Sequence, residues 1–115
     1  MAKFVTAVSA HEIPGRSPLR LAPGERVEAG ARSEEWPEFV FVTASGGSGW
    51  VPARHLSAAA GPVVVEQPYD TTELPTTAGE TLEVLREDLR SGWLWCRSDR
   101  GREGWVPVAT VSPAP

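Results

Sequence analysis

The chain has 115 residues, of which 41% are hydrophobic and 23% are charged, with 11 Gly and 11 Pro. This composition is typical of a folded, loop-rich protein, and no segment approaches the roughly 20 apolar residues that a membrane span requires. The formal net charge is −4, and residues 61–115 carry five Lys and Arg against nine Asp and Glu. Because nucleic-acid affinity depends on clustered basic residues, we expect neither a nucleic-acid partner nor a membrane partner.

In chain order, the predicted elements form a pattern that is repeated after 55 residues. A Gly-Glu turn at 24–25 precedes an alternating strand at 27–29, an apolar strand at 39–42, a hairpin loop at 43–48 and Gly-Trp-Val-Pro at 49–52. The same order returns at 79–80, 82–84, 93–96, 97–103 and 104–107. Alternation with period two indicates half-buried strands, and Pro or Gly interrupts each run before a helix could form. We count five short strands in each repeat.

A unit of about 55 residues with five strands is expected to curl into a small barrel, since this removes most of the exposed strand edges. The predicted fold is therefore all-β, with one barrel over residues 1–57 and a second over residues 62–115. The intervening Ser57-Ala58-Ala59-Ala60-Gly61-Pro62 is predicted to be a short linker that holds the two barrels close together.

The second repeat resembles an SH3 domain. The family pattern has an acidic residue followed by Leu, a Gly-acid turn, a Gly-Trp-Trp stretch and Gly-x-x-Pro before the last strand. The matching residues are Glu73-Leu74, Gly79-Glu80, Gly92-Trp93-Leu94-Trp95 and Gly104-Trp105-Val106-Pro107. The first repeat is similar to a more diverged copy, so the chain resembles a bacterial protein with tandem variant SH3-like domains.

Strand parity separates a core face from an outer face. Trp93 and Trp95 share one face of their strand, while Leu94 and Cys96 share the other. In the SH3 family the first Trp lines a peptide groove and the residue three positions later packs inside. The resemblance therefore implies that Trp93 lies in a groove and that Cys96 is a small buried residue rather than a reactive thiol.

The same parity predicts two sets of core residues. The first barrel would be filled by Ala7, Leu19, Leu21, Val27, Ala29, Val40, Val42, Val51 and Leu56. The second barrel would be filled by Val65, Leu74, Leu82, Val84, Val106 and Val111.

The resemblance implies a ligand groove on the second barrel. Its predicted ligand-binding residues are Tyr69, Trp93, Trp105 and Pro107, with the acids Asp70, Glu73 and Asp88 on the flanking loops. Rings and Pro beside carboxylates suit a proline-rich peptide that carries Arg. The sequence departs from the family at two ring positions, because the first Tyr of the usual Ala-Leu-Tyr-Asp-Tyr stretch is absent and Thr110 replaces the ring after Gly-x-x-Pro.

The groove implied for the first barrel is more polar. Its predicted residues are His11, Trp36, Phe39, Pro52 and His55. In the family, the positions of His11 and His55 adjoin, and Glu12 lies nearby, so two imidazoles and a carboxylate could hold a metal. Two histidines on a barrel rim are the commoner arrangement, and we predict no metal and no cofactor.

We predict a protein that is not an enzyme. The sequence has no nucleophile signature and no Gly-rich phosphate loop, and two small cores leave little room for a deep pocket. The leading hypothesis is a non-catalytic protein-protein interaction module that binds a proline-rich or extended peptide through the second barrel. The alternatives are a cell-wall module that binds peptidoglycan peptides and an accessory subunit that covers a partner enzyme.

The expected location is the cytoplasm. Cys96 has no second cysteine with which to form a disulfide, and the first residues show no clear export signal. The use of Arg over Lys, together with many Ala, Gly and Pro, fits a GC-rich bacterial genome.

Overall fold

The computed structural model describes residues 2–13, 15 and 17–114, so Met1, Pro14, Arg16 and Pro115 of the two predicted barrels lie outside the described residues. The described residues form strands and two short 3₁₀ turns, Ala53–His55 and Val108–Thr110, and no α-helix. None of their elements is a helix long and apolar enough to cross a membrane. The all-β prediction is confirmed.

The chain divides into two compact units. Met1–Gly15 and Thr72–Pro115 together form one, here called the C-terminal unit, and Arg16–Thr71 form the other, here called the central unit. The repeat predicted two units as well, but it placed the division at residues 57–62. The structure divides the chain elsewhere because each repeat begins with a strand that joins the sheet of the other repeat.

The C-terminal unit contains one five-stranded antiparallel sheet. Its strands are β1 (Lys3–Ala7), β8 (Thr81–Asp88), β9 (Trp93–Arg97), β10 (Glu103–Pro107) and β11 (Val111–Pro113). The order in the sheet is β10-β9-β8-β1-β11, so β1 lies between two strands of the second repeat. Val5 is opposite Leu82 on one side and Pro113 on the other.

The central unit contains a four-stranded sheet and a two-stranded ribbon. The larger sheet has β3 (Arg26–Arg32), β4 (Phe39–Ala44), β5 (Gly47–Pro52) and β6 (Gly61–Val64), in the order β5-β4-β3-β6. The ribbon pairs β2 (Arg20–Leu21) with β7 (Tyr69–Asp70). Strand β6 belongs to the second repeat in sequence, and it pairs with β3 of the first repeat.

The predicted linker is not a linker between units. Gly61 and Pro62 already belong to β6, and the backbone N–H of Ser57 donates to the carbonyl of Val64 at 2.9 Å. The Ser57 hydroxyl in turn accepts from the N–H of Val64 at 2.9 Å. Residues 57–60 therefore form a turn inside the central unit, which leads from the first 3₁₀ turn into β6.

Closed barrels were also predicted, and the sheets are not closed. In the C-terminal unit, β10 and β11 are the two edges of an open sheet, and in the central unit the edges are β5 and β6. The long strands bend instead, because the register shifts between Ala29 and Arg32 in β3 and between Val84 and Arg86 in β8. Such irregularities increase the local twist, so the sheets curve without closing.

The predicted cores are largely confirmed, with two residues exchanged between them. The central cluster contains Leu19, Leu21, Val27, Ala29, Val40, Val42, Val51, Leu56, Val63 and Val65. The C-terminal cluster contains Val5, Leu74, Leu82, Leu94, Cys96 and Val106, with Val84 and Val111 packed against it. Val65 was assigned to the second barrel and lies in the central unit, whereas Ala7 was assigned to the first and lies buried in β1.

The Gly of the repeated Gly-Glu turn has a conformational role in both units. Gly24 has a φ of +90° and Gly79 a φ of +91°, a region that residues with a Cβ rarely adopt. Each turn is closed by the side chain of the following Glu, since Glu25 accepts from the N–H of Ala22 and Glu80 from that of Thr77, both at 3.2 Å. The repeat of this pair therefore reflects one turn geometry used twice.

The Gly of the repeated Gly-Trp-Val-Pro is needed where another segment passes close to the strand. A Cβ on Gly104 would lie 2.7 Å from backbone atoms of Glu73 and Leu74. A Cβ on Gly49 would lie 3.2 Å from the Thr71 side chain, which can move. The two positions therefore tolerate a side chain to different extents.

We predict that Gly104→Ala lowers the free energy of unfolding by about 1–3 kcal/mol, because the backbone at residues 73–74 would have to shift to accommodate the added methyl. Gly49→Ala is the matched control, and it should cost less because only a Thr side chain must give way. Urea unfolding followed by circular dichroism measures both. An equal or larger loss for Gly49→Ala would contradict this account.

Cys96 is fully buried in the C-terminal cluster, as the resemblance to SH3 domains implied. Burial raises the pKa of its thiol from 9.0 to about 11, since the thiolate would lose its hydration inside the core.

We predict that the Cys96 thiol reacts slowly with a bulky thiol reagent in the native state and rapidly after unfolding.

Because the pKa of Cys96 is raised in the folded chain, the contribution of this thiol to stability is present below pH 9.0 and is lost as the pH rises toward about 11. Urea unfolding at pH 8 and pH 10.5, compared with Cys96→Ala, measures this slope. Rapid native-state labelling, or the same slope in both proteins, would show the assignment to be wrong.

Candidate functional site

Trp93 is the centre of the candidate site in the C-terminal unit. It is half-buried at the start of β9, on the outer face, while Leu94 and Cys96 point into the core. Asp88 of β8 and Pro107 of β10 are the residues directly opposite it on the two neighbouring strands. Residues opposite one another share a face of the sheet, so an acid and a Pro flank the ring. Pro107 itself is buried.

His11 completes this site. Its imidazole meets the Trp93 ring edge to face, with centroids 5.6 Å apart and an interplanar angle of 73°. The His11 Nε2 atom lies 2.9 Å from Glu73 Oε1, and the two side chains are 12% and 23% exposed. A backbone bridge between His11 and Thr76 holds this segment in place. The site therefore combines a large ring, an imidazole and a carboxylate at the surface of one unit.

The acids of this site are fixed by local structure. The Asp88 side chain accepts from the N–H of Ser91 at 3.3 Å, and its carbonyl accepts from Gly92 at 3.0 Å, which closes the turn before β9. Glu73 lies beside β10, where it forms a parallel bridge with Trp105. Both carboxylates are only partly exposed, so their positions relative to Trp93 depend on backbone contacts rather than on flexible loops.

Trp105 was predicted to bind ligand, and the structure gives it a mainly structural environment. It is 8% exposed and meets Trp95 edge to face, with centroids 5.2 Å apart. The Arg86 guanidinium covers the pair, at 5.1 Å from the Trp95 ring and 5.8 Å from the Trp105 ring. Trp95 Nε1 donates to Glu103 at 2.9 Å. Strand parity did not reveal this cation–π cluster, since Arg86 is brought over the rings by the irregularity in β8.

In the central unit, Tyr69 pairs with His55. Their rings meet edge to face with centroids 5.2 Å apart, and His55 Nδ1 lies 3.2 Å from the Pro68 carbonyl oxygen. Asp70 accepts from Arg20 Nε at 3.2 Å across the β2–β7 ribbon. Tyr69 also packs against the central core, so only part of its ring is at the surface.

The other predicted residues of the first groove are less accessible. Phe39 is 5% exposed and lies opposite Pro52, which is fully buried. Trp36 lies in the loop before β4, where its Nε1 donates to Glu35 Oε1 at 2.8 Å. Phe39 therefore occupies the position in its strand that corresponds to Trp93, but it is buried rather than half-exposed.

The structure regroups the predicted site residues. Tyr69 and Trp93 were expected in one groove, and they lie in different units, Tyr69 beside His55 and Trp93 beside His11. His11 and His55 were expected to adjoin, and they too lie in different units. The cause is the first strand of each repeat, because β1 carries His11 into the C-terminal unit and β6 leads Tyr69 into the central one.

The described residues contain no group of three or more His, Cys, Asp or Glu side chains placed to hold a metal ion.

We predict that His11→Ala shifts the NMR resonance of the Trp93 indole N–H, because the two rings are in edge-to-face contact and removal of the imidazole changes the ring current at the indole. Tyr69→Ala is the matched control, since it removes the ring that contacts His55 and should shift the His55 imidazole resonances. An unchanged Trp93 resonance in His11→Ala would contradict the pairing of β1 with the C-terminal unit.

Comparison with known proteins identifies part of the chain. Residues 65–114 match the family described as the variant SH3 domain. A stretch of 44 residues is 43% identical to the sorting nexin lst-4 of Caenorhabditis elegans, which is 38% of this chain and 8% of that protein. The matched stretch thus contains a variant SH3 domain. Its bounds differ from those of the C-terminal unit, because residues 65–71 lie in the central unit and β1 lies outside the matched stretch. SH3 domains are typically non-catalytic interaction modules that bind proline-rich peptides of partner proteins.

Proposed function

We propose that this chain is a non-catalytic interaction module with two SH3-like units, and that its C-terminal unit binds a proline-rich or extended peptide. The observation that carries the proposal is the half-buried Trp93 ring, held by His11 and flanked by the carboxylates of Asp88 and Glu73. The match of residues 65–114 to the variant SH3 domain supports it.

The chemistry of this surface suits a polyproline helix. Such a helix is already ordered before binding, so its prolines can pack on a flat ring at a small entropic cost. Two carboxylates beside the ring favour a peptide with Arg or Lys near its prolines, and this charge would select the orientation of the peptide.

The central unit is the weaker candidate for the same ligand. At the position that corresponds to Trp93 it has Phe39, which is 5% exposed and offers little surface to a peptide. The Tyr69 and His55 rings remain partly exposed, so a contribution from this unit would come from these two rings rather than from Phe39.

We predict that Trp93→Ala weakens binding of a peptide with two prolines spaced as P-x-x-P and a terminal Arg by about thirtyfold. This corresponds to about 2 kcal/mol, the usual loss when a central interface Trp is removed. Because the ring lies on the outer face, the variant should retain its circular dichroism spectrum. Isothermal titration calorimetry measures the affinity.

Trp36→Ala is the control, since it removes a half-buried Trp from a loop of the central unit and should leave the affinity unchanged. If Trp36→Ala weakens binding as much as Trp93→Ala, or if a peptide of this class does not bind the parent protein, the proposed function is wrong.

A further inference from the structure

Each unit is completed by a segment that precedes the other repeat in sequence. We call residues 3–13 the N-terminal arm and residues 61–71 the central arm. The N-terminal arm contributes β1 to the C-terminal unit, and the central arm contributes β6 and β7 to the central unit. The chain thus already contains one reciprocal exchange of arms between its two repeats.

The two arms occupy corresponding positions in their units, because each makes the same backbone hydrogen bonds to the Gly-Glu turn of its unit. The N–H of Ala7 donates to Glu80 O at 2.8 Å, and the carbonyl of Ala7 accepts from Gly79 N at 2.7 Å. In the central unit, the N–H of Val65 donates to Glu25 O at 2.9 Å, and its carbonyl accepts from Gly24 N at 2.8 Å. Ala7 and Val65 are therefore held in the same way by the repeated Gly-Glu turn.

The equivalence extends along both arms. Ala7 lies opposite Val111, and Val65 is bridged to Leu56, the residue that corresponds to Val111 in the other repeat. Further on, His11 is bridged to Thr76, and Tyr69 lies opposite Leu21, which corresponds to Thr76. These contacts are made by backbone atoms. The position of the arm in each unit can therefore be occupied by any strand whose side chains fit the neighbouring residues.

We propose that the N-terminal arm also exchanges between molecules, so that the arm of one copy lies between β8 and β11 of a second copy. Removal of β1 would leave two unpaired strand edges in the middle of the sheet, and such edges readily accept a strand. An arm from a second copy restores every contact that was lost, so the exchange costs little beyond the association itself.

The side chains of the C-terminal unit fit the N-terminal arm, from the same molecule or from a second copy, better than they fit the central arm. Ala7 is 1% exposed, and Val65 in its place would add two methyl groups to a filled site. His11 pairs with Glu73, and the ring of Tyr69 in its place could not supply an imidazole to that carboxylate. The N-terminal arm is the strand that fits the C-terminal unit, whichever molecule provides it.

The experiment uses two full-length variants, Thr6→Cys and Thr81→Cys. Thr6 lies directly opposite Thr81 on the outer face, so a disulfide between positions 6 and 81 of different molecules requires an exchanged arm. The variants are mixed, unfolded in urea with a reductant, refolded together and oxidised. Because an arm in its own molecule has an effective concentration of about millimolar, refolding is carried out at about 1 mM.

We expect mass spectrometry to find the 6–81 disulfide between the two variants in at least about tenfold greater yield than after refolding at 10 µM, since exchange between molecules depends on concentration. The control mixture pairs Thr6→Cys with Ala58→Cys, whose position is exposed and does not pair with β1. A yield of the 6–81 disulfide no greater than that of the 6–58 disulfide would overturn the proposal.

The chain's own central arm is tested in the double variant Val64→Cys/Thr81→Cys. Val64 corresponds to Thr6 in the equivalent place, so an intramolecular disulfide in this variant would show the central arm beside β8. That result would overturn the proposal, because the position between β8 and β11 would then be occupied by the central arm of the same molecule. Its absence, with the mixed disulfide present, supports exchange with a second copy.

Discussion

The pairing of β1 with β8 and β11 is the interaction on which the C-terminal unit depends. The strand lies in the interior of the five-stranded sheet, so without it β8 and β11 would not be joined. It also adds Val5 to the core and leads to His11, which holds the Trp93 ring. Core, sheet and candidate site thus all require residues that are separated in sequence by the whole central unit.

Much of the local structure could be predicted from the sequence. The two Gly-Glu turns and the alternating strands follow from residue type and from the two-residue period of a strand. The outward direction of Trp93 was implied by the resemblance to SH3 domains. The arm exchange could not be predicted in this way. Ala7 and Val65 make the same backbone contacts in their respective units, so no local pattern shows which repeat each arm will join.

The candidate site illustrates the same limit. Parity correctly separated Trp93 from Leu94, yet the partner of Trp93 is His11, which comes from the other repeat. Burial was a further difference, since Phe39 and Trp93 occupy corresponding positions and only Trp93 is partly exposed. Parity specifies the face of a sheet on which a side chain lies, whereas its exposure depends on what covers that face.

The pairing of the arms is tested most directly by NMR measurement of short distances between the Hα protons of opposite strands. The structure predicts strong cross-strand nuclear Overhauser effects between Thr6 and Thr81 and between Val64 and Arg26, which are opposite residues. Effects between Thr6 and Arg26 and between Val64 and Thr81 would instead place each arm in its own repeat, and would contradict the account.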